Sequence, residues 1–190
     1  MTTATTTYPV SISVPAPPQR FERISVLFRI VASWLPIPTV LFFLPFMSAY
    51  QISKHKGDFH ASYGESYRAL LNWVASFYAW MFFLTDQFPS WGEEGATRLG
   101  VEFSGTPTIG SALLRLIMVI PIGIFLYLVG IVGAVIMIVS GIMVLFTERV
   151  PNFSEPWQRK NLQLTMRVLG YYASLVEEYP PFELEPAPSI

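Results

Sequence analysis

There is no cysteine among the 190 residues. That excludes disulfides, thiolate metal sites and lipid attachment through sulfur, and leaves the redox compartment open. Charge is scarce as well. Asp, Glu, Lys and Arg make up 13% of the chain, against about 25% in ordinary soluble domains. With a net charge of −1 there is no electrostatic footprint for nucleic acid. Met1 to Gln19 is rich in Thr and Pro and lacks an apolar core, so no secretory signal is expected there. Catalytic signatures are missing too. Gly105 to Gly110 contains Thr106 and Thr108, but no Walker or dinucleotide pattern follows, and no Ser stands in a nucleophile elbow. His55 and His60 are five apart, among Lys54, Lys56 and Asp58. A metal would want i, i+4 spacing on a helix or more ligands nearby, so a solvated loop is the expectation. Glu93-Glu94 and Glu177-Glu178 are carboxylate pairs that could do acid–base work. They are expected instead to be loop solubility and the end of a helix stripe. The expectation is therefore no metal, no cofactor and no enzymatic activity.

What the chain does have is apolar length. It is 52% hydrophobic and 15% aromatic, with a mean hydropathy of +0.45. Ala112 to Phe146 carries one charge, Arg115, and none follows between Leu116 and Phe146. Those last residues would run roughly 46 Å as a helix, beyond the ~30 Å of a bilayer core. The reading is an interfacial lead-in over Ser111–Ile120, a break at Pro121, and a spanning helix over Ile122–Phe146. Proline removes a helical hydrogen bond and clashes with the preceding turn, which supplies a cause for a kink. Gly123, Gly130, Ala134 and Gly141 fall on one helical stripe, where small residues let another helix approach.

Before this run, Tyr8–Val14 alternates Val10, Ile12 and Val14 with polar residues, a short strand pattern. Phe21–Leu35 reads as a helix interrupted by Pro36 and Pro38, and Thr39–Tyr50 continues apolar. A polar loop is expected over Gln51–Ser66, and a second apolar helix over Arg68–Asp86. The second half starts over, with a strand candidate at Val101-Glu-Phe-Ser and a last helix over Trp157–Glu178. Arg29 and Arg115 each precede a proline break. Leu84-Thr-Asp-Gln-Phe-Pro matches Leu175-Val-Glu-Glu-Tyr-Pro at an offset of 91, which also pairs Arg68 with Arg159 and Trp80 with Tyr171. These alignments read as an internal repeat. Arg159, Gln163, Arg167, Gly170, Ser174 and Glu177 form a narrow polar stripe on the last helix.

Arg115 before the Ile-Pro break, the long span, Phe146-Thr-Glu-Arg-Val-Pro, and Arg167-Val with Tyr171 leading to Tyr179-Pro-Pro-Phe resemble a family of bacterial membrane proteins. It is catalogued as domain of unknown function four-three-eight-nine. The resemblance covers about 80 residues of the second half, and the first half is similar as a diverged copy, with Asn72 and Ser76 where the motif would have Arg. It implies membrane location and tandem architecture and transfers no catalytic residue.

The expected fold is an all-α integral membrane bundle of about four embedded segments, with amphipathic lead-ins and a short strand-like segment before each repeat. Its divisions are a tail at 1–7, a first repeat at 8–91, a linker at 92–100, a second repeat at 101–184 and a C-terminal tail at 185–190. A multi-pass protein of the bacterial plasma membrane is expected. Arg29 and Arg115 are expected to anchor to lipid headgroups by snorkelling, or to pair within the membrane with Asp86 or Glu177. The expected role is a non-enzymatic accessory or scaffold subunit, with membrane lipids and a membrane-protein partner or self-association. The alternative is a small channel or transporter built from two repeats.

Overall fold

The computed structural model describes residues 8–33, 35–54, 58–89 and 97–189. The tail at 1–7, His55, Lys56, Glu93-Glu94 and most of the proposed linker lie outside these residues. Strand β1, Val10–Ser13, and strand β2, Arg98–Val101, form an antiparallel pair, with Val10 opposite Val101 and Ile12 opposite Leu99. Period-two alternation explains β1: Val10, Ile12 and Val14 are fully buried while Ser11 faces out. Strand β2 begins three residues ahead of the expected Val101, because Leu99 and Val101 are the apolar positions that fall opposite Ile12 and Val10.

The first half then forms helices α1 (Arg23–Ala32), α2 (Ile37–Phe42) and α3 (Leu44–Lys54). Pro36 is the N-cap of α2 and Pro38 sits in its first turn, where a missing N–H costs nothing. The chain bends by 45° between α1 and the α2–α3 run. A π-helical turn, His60–Gly64, leads into α4, Glu65–Met81, so the expected polar loop is largely helical at both ends.

The second half is dominated by α5, Ile109–Thr147, one continuous helix of 39 residues. Thr108 and Ser111 close a reciprocal capping box at its start. This corrects the expected division at Pro121, since lead-in and span are one element. The proline ring is exposed, and next to it the Ile122 N–H donates to the Tyr179 hydroxyl at 3.3 Å. A side chain from a neighbouring segment thus takes up a backbone group at the site of disturbance, which lets the helix run on. Helix α6, Ser154–Tyr172, starts and stops earlier than expected. It ends where Ser174 turns left-handed (φ 63°) and the Leu175 N–H reaches back to Gly170 O.

The elements stack in layers. Helix α5 packs against α6, α3 and α1; α4 and α6 pack together, and β1 lies on α6 and β2 on α4. Helix α6 is the centre, buried over almost all its length. Large apolar side chains are exposed on α1, α2, α3 and α5, and on none of α4, α6, β1 or β2. The C-terminal segment is docked, not free: Ser189 bridges Val14, and Ala187 is buried.

The molecule is mostly helical. Among the described residues, α5 is long and apolar enough to cross a membrane, and α1 with α2–α3 passes the same test only as a bent pair. Helix α4 has only 17 residues, and α6 carries Glu155, Arg159, Lys160 and Arg167, so neither has the length and composition of a span.

Candidate functional site: two helix ends closed by arginine

The two arginines singled out by the proline breaks are both buried, Arg29 at 3% and Arg115 at 6% exposure. Each guanidinium reaches the C-terminal end of a helix, where backbone carbonyls lack intrahelical partners. Arg29, on α1, closes the end of α4. Its Nε donates to Trp80 O at 2.8 Å and its terminal amine to Thr85 O and Asp86 Oδ1, both at 3.0 Å. Its other terminal amine bonds Ser25 Oγ. The guanidinium also lies over the rings of Phe83, at 4.1 Å, and Trp80, at 4.9 Å.

Arg115, on α5, closes the end of α6. One terminal amine donates to Tyr171 O and to Val176 O, and the group lies 4.6 Å from the Tyr171 ring centre. Trp80 and Tyr171 stand 91 apart, as do Thr85 and Val176. Phe83 and Ser174, also 91 apart, take left-handed φ values of 58° and 63°. The strand contacts correspond as well. The Ile12 N–H donates to Gln163 Oε1 and the Leu99 N–H to Asn72 Oδ1, each at 3.0 Å. The polar stripe of α6 therefore points inward. Its amide holds a strand, and Arg159 donates to the carbonyls of Val14, Pro15, Ala187 and Pro188. Arg167 pairs with Glu185 at 2.5 Å.

The remaining candidates are dispersed. Asp86 is in the Arg29 ion pair. Glu177 is exposed, and its N–H takes the Ser104 hydroxyl as acceptor at 2.9 Å. That same hydroxyl donates to Glu178 Oε2 and holds the Glu178 carboxyl below its ordinary range. Burial pushes the Tyr8 phenol well up; its hydroxyl donates to Glu178 O, and the Arg167 guanidinium lies over its ring. Of the small-residue stripe, Gly141 faces Val26 and Phe83, whereas Gly123 and Gly130 meet nothing within 4 Å and Ala134 is exposed. Helix α1, with 10 residues, is too short to cover more of α5 than the Gly141 end. His60 stacks on Phe103 and its Nε2 lies 3.0 Å from Ser174 O. Among the described residues no three His, Cys, Asp or Glu side chains gather as metal ligands.

Sequence reasoning missed the docking of the strands onto Asn72 and Gln163. Their signal was present as amides 91 apart on otherwise apolar helices.

Residues 110–183 match the model of a family described as domain of unknown function (DUF4389). The match takes in α5, α6 and the segment through Tyr179-Pro-Pro-Phe, as one copy. No curated protein and no solved structure matches the chain.

Proposed function

We propose that this chain is a non-enzymatic integral membrane protein, an accessory or scaffold subunit of a larger membrane complex, built from two related halves. The observation that carries the reading is the division of labour among its side chains. Arg29, Arg115 and Arg159 are buried and spent on backbone carbonyls, while the surface of α1–α3 and α5 is a broad apolar layer. An apolar surface of that extent marks a membrane or a partner. The open stripe at Gly123, Gly130 and Ala134 supports close approach of a partner helix. The matched arginine closures, left-handed helix ends and strand-holding amides support the tandem origin. Divergence of the first half fits a family match confined to the second.

Affinity purification from membranes in mild detergent tests the role. A stoichiometric partner, or a defined oligomer of the chain, is the expected result; a chain that runs alone as a monomer removes the subunit reading. The alternative of a small channel draws on the same two-half architecture. Against it, the inward arginines are bonded to carbonyls and so are not free to line a path. Flux of ions through liposomes holding the purified chain would reverse that preference.

A further inference from the structure

Granting the membrane reading above, the layering fixes how the chain meets the bilayer. Helix α6 runs antiparallel to α5. Ser154 Oγ meets Ser140 Oγ at one end, and Arg115 reaches Tyr171 O at the other. Between these, Leu164 and Val168 pack with Ile122 and Val129 of α5. Gln163 therefore lies beside the middle of α5, and the strand it holds, with Ile12 opposite Leu99, lies at the same level on the far side of α6. The outer face of that strand pair carries Ser11, Gly100 and the charged Arg98, all exposed.

An upright α5 would place this polar face at the depth of the hydrocarbon centre, where a charge facing lipid is costly. At about 58 Å, α5 is also nearly twice the thickness it would have to cross. Laid flat, the same molecule has no conflict. The α1–α3 and α5 layer enters the apolar part of one leaflet, α4 and α6 lie above it, and the strands face water. Arg20 and Arg149 then fit the headgroups. Both are exposed, neither has an ion pair among the described residues, and both line a cavity of about 460 Å³ where the chain leaves α5 for α6.

We infer that the chain is monotopic: its apolar layer docks into a single leaflet, with α5 along the membrane plane and Arg20 and Arg149 against lipid phosphates.

The absence of cysteine makes the test clean. Single replacements Ser11→Cys, Thr106→Cys and Asn152→Cys place thiols on the strand face and beyond the two ends of α5, all at exposed positions. Each full-length variant is expressed in cells and treated with a membrane-impermeant maleimide, in intact cells and in inside-out vesicles. The expected result is labelling of all three from one and the same side. Labelling of Thr106→Cys and Asn152→Cys from opposite sides overturns the inference in favour of an upright span, and so does protection of Ser11→Cys in both preparations. The membrane reading is scored separately. If the chain stays in the supernatant when membranes are pelleted, that reading fails, and the apolar layer belongs to a second copy or a soluble partner. If it pellets and the two ends label from opposite sides, only the flat orientation fails.

Discussion

Arg115 holds two carbonyls at the end of α6, Val176 O and, beside the Ser174 N–H, Tyr171 O, so its replacement exposes a cost hidden in the backbone. Arg115→Leu removes the arginine donor from Val176 O and leaves Tyr171 O with only the Ser174 N–H at 3.0 Å. An unpaired buried group of this kind costs about 1–3 kcal/mol, and that is the expected loss in unfolding of the detergent-solubilised protein. Arg115→Lys keeps the charge and the contact with the Tyr171 face but delivers one compact ammonium in place of a fork. Roughly half the loss should return. Ser104 gives a pH-dependent counterpart. Its hydroxyl bond to Glu178 holds that carboxyl low, so the folded state favours the ionised form. The contribution is present above the ordinary carboxylate range and is lost as pH falls through the depressed folded value. Ser104→Ala should lower the melting temperature at neutral pH and flatten its decline on the acid side; a parallel acid limb in wild type and variant would refute this. The sequence marked Arg29, Arg115, Asp86 and Glu177, because charge in an apolar helix is conspicuous. It could not name the carbonyls of Tyr171 or Val176 as partners, since every residue has a carbonyl and no letter announces an uncapped one.

Helices and strands interlock here through a few close approaches. Gly170 joins helix to strand: a Cβ built on it would stand 2.8 Å from Val10 Cγ2, and Val10 is fully buried in β1. A β-branched neighbour has little rotamer freedom with which to yield. Gly170→Ala should therefore destabilise by about 1–3 kcal/mol, and adding Val10→Ala should restore part of it. A double-mutant cycle measures this, and strictly additive losses would mean the two do not meet. Pattern served some elements better than others. The period of two at Val10, Ile12 and Val14, and the uncharged run after Arg115, are strong local signals, and β1 and α5 stand on them. Pro121 misled because a proline reports only a lost hydrogen bond and a clash, not the Tyr179 hydroxyl that arrives from 57 residues away. The α6 stripe was visible as an angle around the helix, but an angle does not say whether water, lipid or a strand lies along it.

For the whole molecule, hydropathy measured how much apolar surface there is, and the fold decides on which side it lies. An apolar layer of this breadth predicts that the chain stays with membranes through alkaline carbonate extraction and needs detergent to leave them. Recovery in the carbonate supernatant would show attachment by charge alone. A broad apolar surface was legible from composition because a layer of exposed Ile, Val, Leu and Phe requires them in bulk. Which segments carry it was not, since α4 and α6 turn their apolar residues to the interior of the protein. The strand pair has one more consequence, which concerns time. Ile12 waits for Gln163, 151 residues later in the chain. At ~5–20 residues per second, synthesis separates them by about 8–30 s. Throughout that interval the first strand has neither its partner β2 for most of the delay nor its supporting helix for any of it, and Val10, Ile12 and Val14 are bare. Those side chains stay unburied until the last quarter of the chain emerges, and a ribosome stalled before Gln163 leaves a product whose first strand cannot close.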